Sequence, residues 1–207
     1  MKVLLLNGSP NKEGCTHRAL REVEGRLREN GIETELFHIG KEPVRGCTAC
    51  NACARMGGRC VFSDDLVNSF LEKMEAADGL VIGSPVYYAS ANGALIAFLD
   101  RAFYAGSCFA YKPAAAVASA RRAGTTATVD ELNKYFMISN MPVVSSQYWN
   151  MVHGMTPDEV EQDLEGLQIM RTLGNNMAWM LKSIEAGRAA GIGIPQKEAV
   201  ARTNFIR

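Results

Sequence analysis

Short runs of wholly apolar residues recur along this chain, each followed by a stretch whose apolar residues fall at helical spacing. Residues 3–6, Val-Leu-Leu-Leu, show no alternation, the pattern of a strand buried on both faces. Residues 16–29 carry Leu20, Val23 and Leu27 on one helical face with charges between them, and Gly31 stands where helices end. Residues 33–39 alternate polar and apolar, as an edge strand does. Asp64 and Asp65 open a helix with Leu66, Phe70, Leu71 and Met74 on one face, acids at a helix start being suited to its dipole. Further strands are predicted at 79–83 and 114–118, with a helix at 93–103 between them. Residues 129–137 read as another helix, and Val143-Val144 begin a last short strand. This repetition implies an α/β fold: one parallel sheet of five strands in the order 2-1-3-4-5, with helices on both faces.

At Thr156 the character changes. Thr-Pro-Asp-Glu reads as a cap, a proline at the first helical position and an acidic first turn. A long helix follows, with Leu164, Leu167, Met170, Leu173, Met177 and Leu181 at helical spacing. The expected organisation is an α/β domain with a helical extension over 1–190, a cysteine-rich insertion at 45–62, and an extended tail at 191–207. Lys+Arg and Asp+Glu both number 22, so the formal net charge is zero. That argues against non-specific nucleic-acid binding, which needs a basic surface to displace counterions, and against an anionic-membrane partner. No run approaches the ~18 apolar residues of a membrane span. The first apolar run stops at Asn7-Gly8-Ser9-Pro10, short of the ~7–15 residues of a signal-peptide core, so a cytoplasmic protein is expected.

The turn Gly8-Ser9-Pro10-Asn11-Lys12-Glu13-Gly14-Cys15-Thr16 follows a buried strand and opens a helix. Unpaired amides and the positive dipole end at such a turn favour a phosphate, and Ser9 and Thr16 add hydroxyl donors. The turn lacks Gly-x-Gly-x-x-Gly and lacks the Gly-Lys-Ser/Thr of triphosphate loops. A phosphate monoester such as the FMN tail suits it, the alternative being a plain strand-to-helix turn. Cys15 at a helix start is expected to have a lowered thiol pKa.

Residues 84–93 follow the third strand, beside the first strand at the topological switch point. Tyr87 and Tyr88 there either edge an isoalloxazine ring or pack in a core or interface. Residues 119–126 follow the fourth strand and would close the pocket from the other side, with Ser119, Arg121 and Gly124 as candidates. Arg121 or Arg122 would tune a flavin, hold an NADPH phosphate, or stand in solvent.

Cys47, Cys50 and Cys53 stand at two-residue spacing, and Cys60 follows after Gly57-Gly58. Crowded cysteines in a chain without an export signal favour metal or redox chemistry over a disulfide framework. Three closely spaced thiolates with a fourth from the next turn match a 4Fe–4S site. Zinc, which prefers two separated pairs, and free or disulfide-linked thiols remain as alternatives.

The motifs Gly8-Ser9-Pro10 with Gly14 and Thr16, Gly83-Ser84-Pro85-Val86-Tyr87-Tyr88, and Ala97-Phe98-Leu99-Asp100-Arg101 resemble the NADPH-dependent FMN reductase family. With Cys47, Cys50, Cys53 and Cys60, the chain is most similar to that family's iron–sulfur flavoprotein branch. The resemblance implies a flavodoxin-like fold, bound FMN, and a homodimer or homotetramer. It implies electron transfer from NAD(P)H or ferredoxin to a flavin, quinone or other small-molecule or protein acceptor. It places the FMN phosphate at Ser9, Asn11, Gly14, Cys15 and Thr16, and the ring at Pro85, Val86, Tyr87 and Tyr88. No acid or base of the protein is expected to act, since the flavin needs none in the hydride step. An electron carrier with a 4Fe–4S cluster, and a metal-stabilised binding module, are the competing readings.

Overall fold

The computed structural model describes residues 1–201 and 203; positions 202 and 204–207 of the expected tail lie outside the described residues. The apolar runs become β1 (Lys2–Asn7), β3 (Gly79–Tyr87) and β5 (Ala114–Ala120), with β2 (Glu33–His38) at one edge and β6 (Met151–His153) at the other. These five strands are parallel, in the order β2-β1-β3-β5-β6, which is the predicted 2-1-3-4-5. A sixth, β4 (Ser90–Ala91), was not expected; it folds back antiparallel on the end of β3.

Helices cover both faces. On one lie α1 (Cys15–Glu29) and α6 (Leu164–Ala189), burying Leu20, Val23 and Leu27 against Leu173, Met177 and Leu181. On the other lie α2 (Val67–Glu75), α3 (Gly93–Ala105) and α4 (Thr125–Ile138). There Phe37, Phe70 and Phe98 meet, with Phe70 edge-on to Phe37 at 5.7 Å and to Phe98 at 5.3 Å. Buried aromatic pairs in this geometry add about 0.5–1.5 kcal/mol each beyond their area. Among the described residues no helix is long and apolar enough to cross a membrane.

Three local expectations are corrected. The last strand begins at Val143 as predicted, but only one residue bridges to Ala114 there before the chain loops out. The edge resumes at Met151–His153 against Ala118–Ala120, so the fifth strand is split. Pro142 has no N–H to give that edge, and Asn150 rejoins it through its carbonyl, which accepts from Ala118 N at 2.9 Å. The single long helix from Thr156 is two: α5 (Pro157–Val160), capped by Thr156, and α6, capped by Asp163. Asp163 separates them because one carboxylate oxygen accepts from Gly166 N at 2.9 Å and the other from His153 N at 2.7 Å. Finally, α4 starts at Thr125, four residues before the first strong apolar signal.

The α1–α6 contact is tight. Glu22 on α1 accepts from Arg18 at 2.8 Å and from Arg171 on α6 at 2.7 Å. Burial alone would raise the Glu22 carboxyl, but these guanidinium bonds outweigh it and hold it below the ordinary value. A Cβ at Gly174 would lie 2.7 Å from Arg26 Cβ and 2.9 Å from the Val23 carbonyl oxygen, neither of which can yield without moving a helix. Gly25, on the exposed face of α1, has nothing within 4 Å. Gly25→Ala is therefore expected to stabilise by about 1 kcal/mol through helix propensity. Gly174→Ala is expected to destabilise despite the same gain, because overpacking costs about 1–3 kcal/mol. Thermal melts check the opposite signs, each kcal/mol moving Tm by roughly 2–4 °C at this size.

Candidate functional site

β1 ends at Asn7, whose buried amide wires the following turn. Its Oδ1 accepts from Ser9 N at 3.0 Å and its Nδ2 donates to the Lys12 carbonyl at 3.2 Å. Ser9 Oγ in turn accepts from Asn11 N at 3.1 Å, which leaves its own O–H free to donate. The turn then enters α1 through Gly14, with no side chain capping the helix and no acid in its first turn. By contrast α3, α5 and α6 are capped by Asn92, Thr156 and Asp163. The first amides of α1 thus keep their donors unpaired by the protein, at the positive end of a 15-residue helix.

Those amides open into a cavity of ≈ 810 Å³. Its walls are the C-terminal ends of the parallel strands, at the point where the chain order reverses between β1 and β3. Of the residues expected to bind cofactor, Ser9, Pro10, Asn11, Gly14, Cys15 and Thr16 line the floor. Pro85, Val86 and Tyr87 line one wall, and Ser119 and Arg121 another. Thr16 and Ser119, both buried, share a hydrogen bond at 2.8 Å that ties the first turn of α1 to the end of β5. With one proton used between them, one hydroxyl hydrogen is left for a ligand.

Two expected residues lie elsewhere. Tyr88 does not line the cavity; at φ +61° and fully exposed, it stands at the tip of the β3–β4 hairpin. Gly124 also lies outside it. At φ +87° it is the N-cap of α4, where a Cβ would come within 2.7 Å of Val86 Cγ1, so it allows the wall to sit close rather than lining it. The hairpin is held from α4 by Glu131, which accepts from Ser90 Oγ and Ala91 N.

Sequence reasoning missed His38, Lys41 and 154–157, all of which line the cavity. His38 Nε2 lies 2.7 Å from the Ser9 carbonyl oxygen. A signal for His38 was present, since it ends the strand paired with β1 and so must end beside the first loop. Residues 154–157 were hidden by the split fifth strand. Cys15 corrects another expectation: its Sγ faces the Gly154 carbonyl at 3.5 Å, and burial pushes its thiol up rather than down.

The four clustered cysteines form a second site. Left-handed backbone at Ala49 (φ 52°) and Asn51 (φ 57°) coils the loop, and Cys47, Cys50, Cys53 and Cys60 all line one small cavity with Phe62, Arg101 and Tyr104. No disulfide joins any of the four. Among the described residues no three metal-ligating side chains converge on a single ion. Four cysteines around one cavity are the kind of donor set that a 4Fe–4S cluster takes.

Comparison with known proteins agrees with this anatomy. The chain is 33% identical over 194 residues to an iron–sulfur flavoprotein of Methanocaldococcus jannaschii, covering 89% of this chain and 100% of that one. It is 30% identical over 193 residues to an iron–sulfur flavoprotein of Methanosarcina thermophila, covering 91% and 99%. An archaeal flavodoxin structure superposes with a TM-score of 0.61 at 14% identity, covering 88% of this chain and 99% of that one, which shows the flavodoxin-like fold. Residues 1–156 match the family described as NADPH-dependent FMN reductase, and the chain belongs to that family, as a flavin-dependent oxidoreductase.

Proposed function

We propose that the protein is an FMN-dependent NAD(P)H oxidoreductase of the flavin or quinone reductase type. The observation that carries this reading is the uncapped start of α1, opening into a cavity of ligand size at the sheet's switch point. The amides of α1 and the hydroxyls of Ser9 and Thr16 would hold the FMN phosphate, with Asn11 and Gly14 shaping the turn and Pro10 and Cys15 lining it. Pro85, Val86 and Tyr87 would wall the ring on one side, and Ser119 and Arg121 on the other. Bound there, FMN would take a hydride from NAD(P)H and pass the electrons to a second acceptor. The protein's part is to fix the phosphate, orient the ring, leave one face open to co-substrate and place Arg121 near the ring edge. We assign no acid or base of the protein to the hydride step. A cytoplasmic homodimer or homotetramer is the accompanying proposal.

Anaerobic stopped-flow tests it. NADH or NADPH is expected to bleach the absorption of bound FMN, and FMN left unbleached by both would remove the reductase reading.

The four thiols around one cavity support a second reading, an electron carrier in which Cys47, Cys50, Cys53 and Cys60 hold a 4Fe–4S cluster. Anaerobic reconstitution followed by iron and sulfide analysis decides it; absence of both would exclude it.

A further inference from the structure

Arg101 has no part in the flavin cavity, yet it is among the largest fully buried side chains of the protein, at 1% exposure. It projects from α3 under the cysteine loop. Its Nε donates to Cys60 Sγ at 3.3 Å, its Nη1 to the Arg45 carbonyl at 3.2 Å, and its Nη2 to the Phe62 carbonyl at 3.2 Å. Asp65 pairs with both terminal nitrogens, and the Phe62 ring lies 5.4 Å from the guanidinium carbon. Every face of this guanidinium is spent on the loop that carries the cysteines. Cys60 is fixed independently of it: Asn68 Oδ1 accepts from Cys60 N at 2.8 Å and Asn68 Nδ2 donates to the Cys60 carbonyl at 2.9 Å. Asn68 holds the backbone of Cys60, and Arg101 addresses its sulfur.

A buried, permanently charged donor on one ligand sulfur acts on charge as well as on position. Reduction of a four-cysteine cluster adds one electron and breaks no bond, so the site becomes one unit more negative. An N–H aimed at a ligand sulfur stabilises that added charge, and hydrogen bonds to sulfur are a recognised lever on cluster potential. We propose that Arg101 is the positioning residue of the cysteine site and raises the reduction potential of the cluster held there through its hydrogen bond to Cys60, with Asp65 moderating its charge. This rests on the reading that the four cysteines hold a 4Fe–4S cluster.

The test is spectroelectrochemical titration of the reconstituted full-length protein, with the cluster and FMN potentials read separately. Iron and sulfide content are measured first, for the wild type, R101Q and D65N. R101Q is expected to lower the cluster potential, by about tenfold in the one-electron equilibrium constant, or about 59 mV. D65N, which removes the compensating charge, is expected to raise it. The FMN potential should stay put in both. Loosening of the loop cannot imitate this pattern, because water favours the more highly charged reduced state and would move both variants upward. An R101Q potential at or above wild type overturns the proposal. If R101Q takes up no iron, D65N decides alone, and an unchanged cluster potential there overturns it. Wild-type protein that takes up neither iron nor sulfide removes the cluster reading itself, and the proposal with it, before any variant is compared.

Discussion

Gly14→Asp is expected to weaken FMN binding by about 100-fold while leaving the FMN-free protein at least as stable as wild type. Gly14 is the N-cap of α1 and has φ −86°, so a side chain fits its backbone; the nearest obstacle to a Cβ is Asn11 Cβ at 3.1 Å, the side chain of a surface turn. An aspartate at this position accepts from the amides two and three residues on, and against a glycine cap that is worth roughly a few tenths of a kcal/mol. Those amides are the ones proposed to receive the phosphate. The carboxylate occupies them and repels a dianion. Loss of two charge-assisted hydrogen bonds, at about 1.5–3 kcal/mol each, partly offset by solvation, gives the hundredfold figure. Isothermal titration with FMN and a thermal melt of the FMN-free protein read the two signs. A variant that binds FMN as well as wild type would place the phosphate elsewhere.

Asn92→Ala is expected to cost about 3 kcal/mol of stability, roughly 6–12 °C in Tm. Asn92 is buried, and its side chain joins two elements. Its Nδ2 donates to the Gly8 carbonyl at 2.7 Å, and its Oδ1 caps α3 by accepting from Ala94 N at 3.1 Å. Truncation strands a buried carbonyl, at about 1–3 kcal/mol, and removes a cap, at about 1 kcal/mol. Asn92→Asp separates the two: it keeps the cap but turns an acceptor toward the Gly8 carbonyl. Because Gly8 begins the turn proposed to hold the phosphate, both variants should also loosen FMN. Chemical denaturation gives the stability, and fluorescence titration of FMN gives the affinity.

The sheet order was legible because strands buried on both faces advertise themselves. Residues 3–6, 79–83 and 114–118 have no polar positions to confuse with a half-exposed helix, and β-α-β chirality leaves few ways to order them. The turn between β1 and α1 was legible for a related reason: strand, glycine, hydroxyls and helix follow one another in sequence. What escaped depended on contacts far apart in the chain. Nothing local in residues 142–153 says that the edge strand will pair once, loop out and return, since that choice lies in β5. Tyr88 failed because alternation along β3 does not reveal the left-handed turn that throws it outward. Arg101 read only as part of a family motif. That its side chain reaches a cysteine 41 residues earlier is a property of how α3 and the insertion pack.

The helix that starts after the Gly8–Gly14 turn is buttressed by a helix that lies beyond residues 1–156. Residues 1–156 contain every described strand and the walls on β3 and β5, but α6 begins at Leu164. Cutting the chain at that boundary would bare Leu20, Val23 and Leu27 to water and strip Glu22 of Arg171. Residues 1–156 alone are therefore expected to fold poorly. The helix that opens into the cavity is braced from outside by α6, and any trimmed version should be judged first by whether that leading helix still forms.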